Sequence, residues 1–458
     1  MAFETADRRT NQAADPDQFA AHPDLNKRWL QIMPVVFITY SLAYVDRANY
    51  GFGAAAGLAE SLHITPTQSA LLGSLFFLGY FAFQIPGAAY ARKRSARRLI
   101  GLALVSWGVL ASLTGIIKVF WILALDRLLL GAAESFILPG MLILLTKWFT
   151  RKERSRTNTL LILGNPITVL WMSAATGYII KKFGWQMTFV IEGLPSVIWG
   201  AVWYFTIRDT PEETAWLSPE SATKLRSILD SEQTVLPRVP NLAAAFKNPG
   251  VAILCAQYFL WCLGLYGFVL WLPVIIKNGS SQGIGITGVL SAVPYAFAAM
   301  LMLFASYFSD RTAKRTRFVW PFLIFAGAAL FGSYLTAGMN FWLSFSFLVI
   351  AGGAMYAPYG PFFAIIPEIL PSNVAGEVTA LINSLGALGS FLGSYFVGYL
   401  QGRTGNSKAG FLLMSVALTL SGLLILPLKP ATERTGDALS VEALPAEQPA
   451  ARANELSI

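Results

Sequence analysis

The sequence predicts an all-α membrane protein: twelve transmembrane helices in two six-helix halves, with both termini on the cytoplasmic side. Composition, a recurring length of apolar run and the placement of basic residues each point there. The 458 residues are 55% hydrophobic and only 13% charged, with a mean hydropathy of +0.54. A soluble domain carries about 25% charge and could not hide this much apolar surface. Lipid removes the difficulty, and spanning its hydrocarbon core takes roughly 20 apolar residues per helix.

Runs of that size fall at 30–54, 70–90, 99–117, 120–146, 158–180 and 185–207, then at 250–275, 284–308, 318–337, 341–364, 376–400 and 409–428. The domain organisation that follows is a cytoplasmic tail (1–28), a first bundle (29–207), a cytoplasmic central loop (208–248), a second bundle (249–428) and a tail (429–458) rich in Ala, Glu and Pro. The central loop is charged, with a short helix expected near 218–231. The last tail has the composition of a disordered segment.

Basic residues test the map, because cytoplasmic connections carry an excess of Lys and Arg. With the N-terminus inside, the outward segments hold only Lys118, Lys181, Lys182, Lys277, Arg403 and Lys408 of the 34 Lys and Arg. Arg47 and Arg127 lie within spans, and all the others fall on inward segments. The inward connection between the tenth and eleventh spans has none. A repeat supports two halves: GAAYARKRSARR (87–98) follows the second span and SYFSDRTAKRTR (306–317) follows the eighth. Repeated halves about a central site are a hallmark of transporters.

The net charge of +9 is explained by topology, so no nucleic acid is expected. Cys255 and Cys262 share one apolar run and read as a buried, reduced pair. His22 and His63 fall outside the spans, so no histidine metal site is expected. No cleavable signal precedes the first span, which is expected to act as an uncleaved anchor. The connections show no nucleophile–base set, metal cluster or phosphate loop, so neither an enzyme nor a cofactor is expected.

A charge at mid-bilayer costs roughly 2.5–3.5 kcal/mol on insertion scales, so each one needs a reason. The first span holds Asp46 and Arg47, the fourth Asp126, Arg127 and Glu134, the sixth Glu192. Arg127 and Glu134, seven apart, lie within about 20° of one helix face and roughly 10 Å apart along the axis. Asp46 and Arg47 point about 100° apart and need not neutralise each other. A guanidinium in the membrane suits a carboxylate-bearing ligand, and a carboxylate taken out of water can bind a proton near neutral pH. Together these are the parts of proton-coupled anion uptake. The bland alternative is that they are helix-to-helix ion pairs, with Arg127 partnering Asp126 or Glu134 and Glu192 satisfying a neighbouring helix.

Other polar residues on spans could orient a ligand or bond between helices. Tyr80 and Gln84 share a face at i, i+4. Asn165 precedes the helix-breaking Pro166, Tyr266 sits in GLYGFVLWLP, Tyr356 and Tyr359 flank Pro358, and Asn383 lies in LINSLGALG. The glycine-rich run GALGSFLGSYFVG (386–398) reads as a packing face.

The chain also resembles a known family, the anion:cation symporters of the major facilitator superfamily (the organic-acid, sugar-acid, tartrate and phthalate branch). The carrying motifs, in order, are YVDRANYGF (44–52), YFAFQIPG (80–87), RLLLGAAESFILPG (127–140), KWFTRKERSR (147–156), GWQMTFVIEGLP (184–195), DTPEETAWLSPE (209–220) and YGFVLWLPVIIK (266–277). The resemblance covers roughly 28–428. It implies the major facilitator fold, an inner-membrane monomer, and cation- or proton-coupled uptake of an organic anion. Members carry sugar acids, tartrate, phthalate, hydroxyphenylacetate and allantoate. By motif match Arg47 looks like the family's carboxylate-binding arginine, and Asp46 and Glu134 like its protonatable pair. Arg127 matches the arginine two turns before that glutamate, and Tyr80 and Asn165 fall on substrate positions.

Some positions depart from the pattern. Hexonate-type members more often show Gln where Asn165 stands. Ala91 stands where the basic turn after the second span normally has Asp, whereas Asp310 and Arg311 are kept in the second copy. Phe363 replaces a frequent Trp, and Tyr266–Gly267 replaces any cation in the seventh span. Only one half then supplies positive charge, and the second-half pocket is aromatic. The implied substrate is a small mono- or dicarboxylate with an aromatic or hydroxylated body. Efflux of a drug or metabolite is the alternative on the same fold, although the fifth span, ILGNPITVLWMSAATGYI, lacks the glycine-rich Gly-Pro pattern of efflux members.

Overall fold

The structure is a computed structural model that describes residues 23–234, 249–312, 314–369, 372–405 and 408–428. The expectations for 429–458, for most of the first tail including His22, and for 235–248 lie outside the described residues. The described residues are helical almost throughout, as a lipid environment requires, because a helix satisfies its backbone donors and acceptors internally. Among the described residues, ten helices are long and apolar enough to cross a membrane.

The first half contains α1 (Lys27–Ala55), α2 (Pro66–Lys93), α3 (Ala96–Thr114), α4 (Phe120–Glu134), α5 (Ile137–Thr146) and α6 (Arg151–Thr206). Starts are set by local chemistry. Thr65 and Gln68 form a capping box at α2, Ser95 caps α3, and Thr150 with Glu153 forms a capping box at α6. As one rod α6 would run about 84 Å, nearly three bilayer thicknesses. Instead it doubles back at Gly184, whose φ of 81° suits only a residue without a Cβ. Thr176 and Glu192, sixteen residues apart, are hydrogen-bonded across the resulting hairpin.

The expected helix in the central loop is present as α7 (Pro219–Thr234). It is docked: Trp216 stacks on Trp148 at 5.6 Å, and Leu225 and Leu229 are buried. The second half contains α8 (Pro249–Ser280), α9 (Ile284–Thr312), α10 (Trp320–Thr336), α11 (Phe341–Tyr356), α12 (Tyr359–Ile369), α13 (Ser372–Thr404) and the 17-residue α14 (Lys408–Leu424). The internal repeat is visible in the breaks. The fourth helix of each half is interrupted, between Glu134 and Ile137 in the first and at Ala357–Pro358 in the second.

Within the first half α1 and α3 pack on α6, and α2 on α4; within the second, α8 packs on α13 and α14, and α10 on α11 and α14. The halves meet through α1 with α8, α2 with α13 and α6 with α9. Glycine permits the closest approaches. A Cβ at Gly389 or Gly393 would strike the Phe259 or Leu263 carbonyl of α8, so the run 386–398 is the packing face its composition suggested. Outward, the bundle shows lipid-ready side chains such as Leu102, Ile198, Phe325 and Trp342. Cys255 and Cys262 are buried and unbridged, as expected.

Candidate functional site

The halves enclose a central cavity of about 620 Å³. Its wall begins at mid-depth with Tyr44, Arg47 and Tyr266. It ends among Thr146, Asn158, Ser306, Arg315 and Thr379, at the end that carries the basic connections. The opposite end is shut by contacts between the halves: Gly51 on the Leu270 carbonyl, Gly288 on the Ser173 carbonyl, and Gly398 on Ala70.

Arg47 is the cation at the closed end of the cavity. It is 8% exposed, its Nε donates to Glu134, and its Nη2 has no partner among the described residues. Its guanidinium lies 4.7 Å from the ring centres of both Tyr44 and Tyr80. That aromatic clamp fixes the fork's orientation by cation–π attraction. Glu134 is fully buried behind it at the last residue of α4, with Oε2 unpartnered among the described residues. So an arginine fork with one free prong faces the cavity, and a carboxylate that could let go of it stands behind.

Around this point the structure collects most of the polar residues that the sequence suggested. Asn165 donates to the Tyr44 hydroxyl at 2.6 Å, and that hydroxyl lies 3.4 Å from the Tyr266 hydroxyl. Asn383 accepts from Tyr258 at 3.5 Å. Tyr80, Tyr359 and Phe363 also line the wall, with Phe363 stacked on Tyr359.

Other candidates stand off the cavity wall. Tyr356 is buried behind it, stacked on Tyr359 and edge-on to Tyr295. Gln84, though on the Tyr80 face of the helix, is buried and does not line the cavity. Asp46 faces away from Arg47 and accepts from Asn49 at 3.4 Å. Asp126 accepts from Thr114 at 2.8 Å, and Arg127 reaches the Leu72 carbonyl at 3.4 Å while lying over the Tyr50 ring. The suggested pairing of Arg127 with Asp126 or Glu134 is therefore replaced by a carbonyl and a ring. Asp310 is bound by Arg315 at the mouth of the cavity, and Arg311 lies 3.5 Å from the Tyr307 hydroxyl.

Tyr40, Tyr44, Tyr258, Phe77 and Cys262 also line the cavity, and the sequence did not mark them as candidate ligand contacts. The signal was there. Tyr40, Tyr44 and Arg47 recur at i, i+4 and i+7 on α1, and Tyr258, Cys262 and Tyr266 at i, i+4 and i+8 on α8, each a single helix face.

Residues 36–394 match the Major Facilitator Superfamily. The chain belongs to that family. Among curated relatives it is 29% identical over 409 residues to a putative tartrate transporter of Agrobacterium vitis, covering 88% of this chain and 90% of the relative. It is 30% identical over 413 residues to a quinolone resistance transporter of Acinetobacter baumannii, covering 86% and 92%. A solved D-xylose–proton symporter superposes with a TM-score of 0.69 at 12% identity, covering 88% of this chain and 98% of the symporter, and so shares the fold. The chain is thus a multi-pass membrane transporter and not an enzyme.

Proposed function

We propose that this chain is a proton-coupled symporter of the anion:cation branch. It brings a small organic carboxylate, such as tartrate, a sugar acid or an aromatic acid, into a bacterial cell by alternating access. The observation that carries the reading is the Arg47 fork on the cavity wall, one nitrogen held by Glu134 and another without a partner among the described residues. Binding the substrate carboxylate on both prongs of Arg47 requires Glu134 to release its hold. A proton on Glu134 neutralises that carboxylate and frees the fork, so loading the proton and loading the anion favour each other. Asp46, the residue before Arg47 and also buried, is the second carboxylate of the coupling pair.

In this reading Tyr80, Asn165, Tyr266, Tyr359, Phe363 and Asn383 hold the body of the substrate, with Tyr356 supporting Tyr359 from behind. Counting α6 as two limbs and α14 as a span gives twelve crossings. Two bundles (29–207 and 249–428) then rock about the site, with the 208–248 segment and both tails in the cytoplasm and the protein a monomer in the inner membrane. The cavity mouth lies at the basic end, which makes this the inward-open state.

Efflux is the second reading, favoured by the relative named for quinolone resistance. Reconstitution separates the two. In liposomes with an inward proton gradient, one acid from a panel of tartrate, galacturonate and benzoate should accumulate, and Glu134→Gln should lose accumulation. No accumulated acid, or normal accumulation by Glu134→Gln, would sink the symport reading and make export the next test.

A further inference from the structure

Behind α1, on the side away from Arg47, is a polar cluster that the cavity does not touch. Asp46, Asn49, Thr176 and Glu192 are all buried and none lines the cavity. The register of α1 against the second limb of α6 brings them together. Trp199 donates to Thr39 at 2.9 Å, Phe189 lies against Gly53, and Trp185 donates to Ser61 at 3.1 Å. These antiparallel contacts set Glu192 level with Asn49, one helical turn from Asp46. Asn49 donates to Asp46 and its amide lies beside Glu192, while Thr176 donates to Glu192 from the other limb of the hairpin.

The cluster holds more acceptors than donors: beyond the Asn49 amide and the Thr176 hydroxyl, the unpartnered indole N–H of Trp107 on α3 lies beside Asp46. Asp46 Oδ2, Asn49 Oδ1 and Glu192 Oε2 are buried acceptors without a partner among the described residues. Unpaired buried polar atoms are costly, and two carboxylates around one amide repel each other. The facing charges do not resolve this. Arg127 and Glu134 act on Asp46 from α4. Glu192 is in salt-bridge contact with no cation among the described residues, and α3 meets this limb through uncharged Gly108 and Ser112. A proton on either carboxyl supplies a further donor, and Asn49 can pass the stabilisation between them by rotating its amide.

We propose that Asp46 and Glu192 share a transported proton through Asn49, which makes Glu192 a coupling carboxylate outside the substrate cavity and distinct from Glu134. The inference rests on the symport reading above. The proton arrives from water, sits on a carboxyl oxygen, and returns to water at the other face, so no bond to substrate changes. Because Asp46 and Arg47 are neighbours on α1, a small rotation of that helix moves both sites together.

The test uses the full chain in liposomes, with the acid of the tartrate, galacturonate and benzoate panel that it accumulates. Two quantities are read: accumulation driven by an inward proton gradient, and counterflow of labelled against unlabelled acid without a gradient. Glu192→Gln should lower accumulation at least about tenfold and keep counterflow within about twofold, because exchange needs the anion site but no net proton movement. Glu192→Asp should recover part of the accumulation. Unchanged accumulation in Glu192→Gln overturns the assignment. So does loss of counterflow together with accumulation that Glu192→Asp fails to restore, which marks a purely structural group. If the unaltered chain accumulates no acid, the symport reading fails first and this inference with it.

Discussion

The two halves share one helical plan and use it for different chemistry. The first half carries the membrane-embedded charge: Asp46, Arg47, Asp126, Arg127, Glu134 and Glu192 all lie on α1, α4 and α6 and are buried. The second half answers with rings: Tyr258 stacks on Phe362 at 5.1 Å, and Tyr359, Phe363 and Tyr266 face Arg47 across the cavity. Both halves break their fourth helix at mid-depth, yet one break presents Glu134 and the other Tyr356 and Tyr359. A repeated scaffold thus separates two tasks. In the proposed symport the first side binds charge and protons, and the other shapes the space for the substrate body.

Substitutions can break or sharpen that contrast. The largest loss should come from Arg47→Ala. Hydrogen bonds to charged groups are worth about 1.5–3 kcal/mol each, so losing both prongs should cut uptake about a hundredfold or more, with the folded protein still in the membrane by gel filtration. Arg47→Lys should rescue little, since an ammonium cannot reproduce the fork. Normal transport by a folded Arg47→Ala protein would remove the anion site from the first half.

Next is the seal between halves. Gly288→Leu would drive a side chain into the Ser173 carbonyl. Overpacking costs roughly 1–3 kcal/mol, so the closed end should open about tenfold more often, read as faster labelling of an engineered cysteine at Ala70. Labelling at the unaltered rate would show that this contact does not hold the gate.

A smaller effect is expected from Tyr44→Phe, which removes the hydroxyl that Asn165 donates to. One neutral hydrogen bond is worth about 1 kcal/mol, or about fivefold in KM. On the second-half wall, Phe363→Ala should raise KM by about fivefold or less and leave the proton-to-substrate ratio unchanged. A shift in that ratio would place coupling on both halves. The smallest change should come from Ala91→Asp. Ala91 is buried, and Asp209 already accepts from Ser95 and the Arg97 amide at that end of the bundle. Uptake should stay within about twofold if those bonds serve as the local tie.

Much of this was legible before any coordinates. Runs of apolar residues set the helices, because lipid tolerates little else. The expense of charge in lipid singled out Arg47 and Glu134 as residues needing a reason. The glycines of 386–398 announced a close helix contact, since only a missing side chain allows one backbone to meet another. The tyrosines of α1 and α8 were legible too, but only to a reading that follows one helix face.

The partners were not legible. Sequence spacing offered Arg127 as a mate for Glu134, seven residues or about two helical turns further on, whereas the structure gives Glu134 to Arg47, 87 positions away. Nor could it separate Tyr80 from Gln84, which share a helix face but not a cavity. By itself the sequence determined that this chain lives in a membrane, where its helices run, and which of its charges demand an explanation, because these follow from local transfer energies along the chain. Tertiary structure alone decided which charge meets which, which ring faces the cavity, and that Glu192 stands beside Asp46, because helix packing, not sequence distance, sets who is near whom inside a bundle.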